Sequence, residues 1–330
     1  MRGGAEMVAR AWERVESKKA GARRDTSGAG GTRGGVEEMF VQNEAVSVCL
    51  LLNRRTKTMR VIDFRAGPSH AKRLFVLKLA QREGIEKVYT LVERDEVSTW
   101  IKLGFTREAN IPAFYKRSDA FILGCAVAEA MAGNFRLPAT MDDDEPEEAA
   151  PSAAIDFAEK TVITAKKHAK GLSDRQLPIV KLGMPSAADV KKATDKALRA
   201  GRALTAFEPF GRDGEQTFYQ IGAKGGFELI ARIESQGCFG NAFLELLTGP
   251  KTDTERLATV SALRTLCDDF LEKGVVGCFA LAPSDDAALA TAFVHNGFRR
   301  TGLLANHLIV GRERKDAIMW SRKLATPAGE

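Results

Sequence analysis

The sequence predicts an α/β protein built twice over, as two tandem halves in which strands are flanked by helices. Three observations carry that prediction. Each half reads as strand–strand–strand–helix–strand–helix–strand. Three short landmarks recur in the same order, and an acidic, proline-containing stretch, MDDDEPEEAAPSAA at 141–154, parts the two. The landmarks are Gly67-Pro68 with Gly249-Pro250, Gly104-Phe105 with Gly297-Phe298, and Asp119-Ala120 with Asp316-Ala317. Their offsets are 249 − 67 = 182, 297 − 104 = 193 and 316 − 119 = 197. A slowly growing offset is what loop insertions in one copy of a repeat produce.

Taken in order, residues 1–35 read as a flexible basic leader. It holds a short amphipathic helix (Met7, Val8, Ala11, Trp12, Val15) ahead of GARRDTSGAGGTRGG, which has too little apolar content to order itself. The first domain, 36–130, offers strands near 37–42, 45–52 and 57–64, the last two joined by the polar turn 53–56. A helix near 70–83 follows, with Leu74, Phe75, Leu77, Leu79 and Ala80 as its apolar face. A strand near 88–92, a short helix near 96–103 and a strand near 120–127 complete this half, with a mixed loop before the last strand.

Residues 131–154 form the acidic linker, and 155–330 the second domain. That domain opens on lysine-rich helical segments, one with a capping-box start at Ser186 and Asp189. Strands near 216–221, 226–234 and 241–248 come next, the first two joined by a Gly-rich turn. The helix near 254–272 carries Val260, Leu263, Leu266, Cys267, Phe270 and Leu271 on one side. A strand near 275–281, a helix near 285–295 and a strand near 316–320 finish the chain.

Composition excludes several classes. No apolar run approaches the roughly 18 residues of a membrane span, which points to a soluble, cytoplasmic protein with no membrane partner. The five cysteines (49, 125, 238, 267, 278) form no CxxC pair, and the four histidines (70, 168, 295, 307) have no ligand spacing, so no metal is expected. The net charge of +6 is modest, and the chain lacks the basic–aromatic interleaving of an RNA-binding module. A phosphate-bearing ligand accounts for it as well as nucleic acid would, and solvated helix faces account for it better than either.

The element order and two segments, GFTREANIPAFYKRSDAFILG at 104–124 and VVGCFALAPSDDAALATAFVHNGFRRTG at 275–302, resemble the GNAT superfamily of acyl-CoA-dependent N-acetyltransferases. The first segment is similar to the ending of β-lysine N-acetyltransferase-like members. The resemblance implies two tandem GNAT-like domains, each a mixed, mostly antiparallel sheet flanked by helices. It implies acetyl transfer from acetyl-CoA, as co-substrate, to a small-molecule or protein amine, without a metal.

It also implies positions for the working groups. The family cradles the diphosphate of the cofactor on a glycine-rich turn at a helix start, where free N–H groups and the helix dipole favour an anion. In this sequence Gly67 and Ser69 stand at the two small positions, Arg65 sits one place late for the basic one, and His70 and Lys72 are near enough to meet phosphate. The second turn, GPKTDTER at 249–256, has no second glycine and carries Asp253 and Glu255, a poor setting for an anion.

Active members often place a tyrosine four residues before the Gly of Gly-Phe, to protonate the leaving thiolate; here those positions hold Trp100 and Phe293. Tyr115 and His307 are the candidate replacements. Asp63 and Glu245, each four residues before its Gly-Pro glycine, are the candidate bases. Glu245 shares a strand face with Phe243 and Leu247, so its pKa should be raised. The missing tyrosines leave a second expectation open, a catalytically inactive tandem that binds a ligand or acts as a scaffold.

Overall fold

The computed structural model describes residues 35–42, 46–63, 67, 69–115, 118–132, 153–211, 214–236 and 239–325. The leader and most of the acidic linker lie outside the described residues. The described residues group into two compact units. One runs to Arg107 and resumes from Ile122 to Ala132; the other takes Glu108–Phe121 and everything from Ala153 on. Each is a mixed, mostly antiparallel sheet flanked by helices. Among the described residues no helix is long and apolar enough to cross a membrane.

In the first unit β1 (Val36–Gln42), β2 (Ser47–Asn53) and β3 (Thr58–Asp63) form an antiparallel meander. The β2–β3 turn is closed by Asn53, whose Oδ1 accepts from Thr56 N at 3.0 Å. Helix α1 (His70–Arg82) then crosses to β4 (Lys87–Val92), which lies parallel to β3. The buried side of α1 includes Phe75, Leu77, Leu79 and Ala80 of the face that its spacing predicts, with Val76 in addition, while Leu74 is only half-buried. After helix α2 (Val97–Lys102), strand β5 (Thr106–Ile111) and β6 (Ala120–Ala126), the short helix α3 (Val127–Met131) ends the unit; its strand order is β1-β2-β3-β4-β6.

The second unit begins with helix α4 (Ala153–Lys170), strand β7 (Val180–Gly183) and helix α5 (Ala187–Arg199). The predicted capping box is present: Asp189 N donates to Ser186 Oγ at 3.2 Å and Ser186 N to Asp189 Oδ2 at 3.3 Å. A meander of β8 (Glu215–Ala223), β9 (Phe227–Gln236) and β10 (Asn241–Leu246) follows, with Gly225 and Gly226 taking the positive φ that the β8–β9 turn requires. Helix α6 (Asp253–Glu272) crosses to β11 (Gly277–Pro283), parallel to β10. Then come α7 (Ala287–His295), β12 (Arg299–Val310) and β13 (Glu313–Lys323), in the order β12-β13-β11-β10-β9-β8-β7. The core on one face is built by α4, α6 and α7. Leu271, predicted on the apolar side of α6, is instead 47 % exposed.

The Gly-Phe landmarks have a local cause. Gly104 and Gly297 adopt φ of +91° and +77° just past the ends of α2 and α7. Phe105 N donates to Trp100 O and Phe298 N to Phe293 O, at 3.1 and 3.0 Å. This is the Schellman helix stop, in which the residue after glycine also packs on the residue four before it. Both pairs do so edge-on, with ring centroids 4.8 Å apart for Trp100–Phe105 and 5.1 Å for Phe293–Phe298.

Two strands, the long β12 and the short β5, were not legible as such. β12 carries register shifts at Arg300/Gly302 and at Leu304/Leu308, and each bulge resets the alternation that marks a strand. β5, from Glu108 on, groups with the second unit and lies antiparallel to β12, where Ala109 faces Gly302. Their separation, 302 − 109 = 193, equals that of the two Gly-Phe pairs. A Cβ on Gly302 would overlap the backbone of Ala109 and the Glu108 carbonyl. Gly302→Ala should therefore cost about 1–3 kcal/mol, read as a lower urea midpoint at unchanged m-value.

Candidate functional site

In the first unit the parallel pairing of β3 with β4 ends at Val61 and Thr90, and the two strands run on to Asp63 and Val92. Beyond them lie the turn containing Gly67, at φ +101°, and the start of α1. Ser69 caps that helix, accepting from Lys72 N at 3.3 Å. No acid stands in the first turn of α1, and His70 is exposed there. Arg65 lies outside the described residues.

Lys72 does not face the turn's solvent side. Its ammonium is 2.5 Å from Asp63 Oδ2 and 3.3 Å from Gly67 O, with the Lys72 and Asp63 side chains only 2 % and 6 % exposed. The predicted phosphate binder and the predicted base thus neutralise each other. Burying one charge without the other is costly, so the pair is mutually enforced.

Beside Asp63 the chain after β4 supplies Glu93, Asp95 and Glu96. Burial first, then Asp95 and Asp63, push the Glu96 carboxyl above its ordinary value. Glu96 is thus within electrostatic reach of Asp95, Asp63 and Glu93, while no acid stands in the first turn of α1.

In the second unit Glu245 sits directly across from Arg232 of β9. Its Oε2 forms an ion pair with the fully buried Arg232 guanidinium, and its Oε1 accepts from Thr205 Oγ1 at 2.6 Å. Arg232 is also 3.5 Å from Glu234, and donates to Phe207 O at 2.5 Å and Glu208 O at 2.6 Å. Burial pushes Glu245 up to about 7, against the pull of Arg232 and Thr205 and with a further push from Glu208 and Glu234. A carboxyl raised in this way favours the folded state below its ordinary range, and that stability is lost as pH rises through about 7.

The turn after β10 is filled from within. Ala203 bridges to Thr248, and Leu204 N donates to Leu247 O at 2.9 Å. Thr252 caps α6 by accepting from Glu255 N, and Glu255 Oε2 accepts from Lys251 N at 2.7 Å. The carboxylate of this chain itself stands where an anion would dock. A side chain at Gly249 would meet Asp286 Oδ2 at 2.6 Å.

The candidate acids lie elsewhere. Tyr115 is half-buried, its ring edge-on to Phe114 and to Phe239 at 4.9 and 5.3 Å between centroids. His307 is buried between the second pair of register landmarks of β12, next to Asn306 at φ +50°. Trp100 and Phe293 are core rings, 2 % and 1 % exposed, and Phe293 stacks on Trp320. Sequence reasoning missed Arg232, Glu234, Glu208, Thr205 and Glu96. The one visible signal was the Arg-Ile-Glu triplet of β9, charges set in an apolar strand.

No protein-family model matches the chain, and no curated protein matches it. Among solved structures, the ribosomal-protein-S18-alanine N-acetyltransferase from Escherichia coli is similar over 46 % of this chain and 97 % of its own, at 17 % identity and a TM-score of 0.34. Spermidine N-acetyltransferase from Vibrio cholerae, in complex with CoA and spermine, is similar over 44 % of this chain and 95 % of its own, at 9 % identity and 0.36. Likeness at that level carries no inference about chemistry.

The Asp63–Lys72 pair generates a test. Lys72→Met should destabilise the first unit by about 3–5 kcal/mol by stranding a buried carboxylate, and adding Asp63→Leu should recover most of that loss in denaturant titrations.

Proposed function

We propose that the chain is a cytoplasmic, acetyl-CoA-dependent N-acyltransferase of tandem GNAT architecture, with the first unit as the working copy and the second as a non-catalytic one. The observation that carries this reading is the contrast between two equivalent helix starts. That of α1 has no acid in its first turn, whereas that of α6 already holds the Glu255 carboxylate. An incoming diphosphate gains from free N–H groups and the positive helix end at the first, and meets a like charge at the second.

The acceptor is an amine, of a small molecule or a protein. The carboxyls of Glu93, Asp95 and Glu96, beyond the end of β4, favour a cationic one. In the reaction the neutral amine attacks the thioester carbonyl, the C–S bond breaks, and an amide and a thiol form. The departing thiolate takes up the proton that the amine gives away, directly or through water. Asp63 is held by Lys72 and supplies no base, so placing the amine beside the thioester does the work. The second reading, a ligand-binding or scaffold tandem without chemistry, is favoured by the buried rings of Trp100 and Phe293 where a proton donor would stand.

Two measurements on the full chain test these. Acetyl-CoA at 100 times its Kd should stabilise the protein by about 2.7 kcal/mol, and Gly67→Glu should abolish the shift while Lys251→Glu leaves it. Amide formation, with rate rising with pH as the acceptor amine itself deprotonates, is expected of the transferase. A thermal shift without amide formation over a panel of amines selects the second reading, and no shift at all removes the cofactor from both.

A further inference from the structure

Residues 203–211, between α5 and β8, are fastened to β9 and β10 by groups that are themselves buried. After the backbone contacts of Ala203 and Leu204, the attachments pass through side chains. Arg232 reaches in to the carbonyls of Phe207 and Glu208. Glu234 accepts from Phe210 N at 2.9 Å and from Gly211 N. Phe207 sits at φ +60°, a left-handed conformation that costs a non-glycine residue of order 1–3 kcal/mol. The segment is strained and held shut from outside.

Counting hydrogens at Thr205 shows what holds it. Its Oγ1 lies 2.6 Å from Glu245 Oε1 and 3.2 Å from Glu208 Oε2, and it accepts from Phe207 N at 2.7 Å. A hydroxyl has one proton to give. With both carboxyls ionised, one carboxylate oxygen faces a lone pair at hydrogen-bond distance, which is repulsive. One further proton removes the conflict: Glu245 donates to Thr205 Oγ1, and Thr205 donates to Glu208.

We propose that residues 203–211 form a proton-held clasp, closed while the Glu245 carboxyl carries a proton and released when that proton passes to solvent. The charged groups facing Glu245 are Arg232 and Glu234 from β9 and Glu208 from the segment itself. Glu245 and Glu234 both pair with the one Arg232 guanidinium, so losing the proton adds a negative charge inside the unit. The chain Glu245–Thr205–Glu208 loses its first donor at the same moment, and the strain at Phe207 favours opening. This inference stands independently of the transferase reading.

Hydrogen exchange of the Phe207 and Phe210 amides in the full chain, from about pH 5 to about pH 9, tests it. After correction for intrinsic rates, opening should rise with pH from the ordinary carboxylate range upward, by up to about tenfold per pH unit, and level off above about 7, because a proton leaves on opening only while the closed Glu245 still carries it. Glu245→Gln, whose amide donates to Thr205 at every pH, should give a flat, closed profile. Infrared difference spectra should show a protonated-carboxyl band that titrates near neutrality and is missing in Glu245→Gln. Should that variant not fold, Thr205→Val provides the second arm, with high opening already at acid pH and no slope. A flat wild-type profile, or a wild-type carboxyl band titrating only in the ordinary carboxylate range, overturns the clasp.

Discussion

Buried charge needs a buried partner, and that constraint shapes both candidate sites. In each unit a carboxylate stands at the end of the strand that precedes the crossover helix, where water is largely excluded. Asp63 meets it with Lys72 at 2.5 Å, and Glu245 with Arg232. The solutions differ in kind. In the first, a lysine from the start of the helix meets the aspartate of the strand. In the second two glutamates, Glu234 and Glu245, meet one guanidinium, and burial raises the Glu245 carboxyl despite it.

The same economy explains the two helix starts. Backbone N–H groups at a helix N-terminus must find acceptors. At α6 the chain supplies its own, Thr252 and Glu255, and the turn is closed to a ligand. At α1 Ser69 satisfies one N–H, and no acid enters the first turn. The two units share a strand–turn–helix plan, yet among the described residues only the α6 start has an acid in its first turn. Fold and chemistry part company at a few residues.

Much of this was legible in the sequence where the signal is local. The apolar spacing of α1, the capping box at Ser186 and the Gly-Phe stops each depend on residues within one or two turns, and each is present as read. The Gly-Phe stop even accounts for Trp100 and Phe293: a Schellman cap wants an apolar residue there, so the absence of tyrosine reflects packing as well as chemistry. β12 was not legible, because two bulges break its period. Nor was the setting of Glu245, since its partners come from Arg232 across a register and from a loop forty residues earlier in the chain. A raised pKa was foreseen from the strand face; the guanidinium opposite it was not.

The proposed acyl-CoA site is the α1 start and not the α6 start. A backbone-amide NMR titration of the full chain with acetyl-CoA distinguishes the two. Saturable shifts are expected at Ser69 to Arg73, with Thr252 to Arg256 unmoved. Shifts confined to Thr252–Arg256, or none at either helix start, would contradict it.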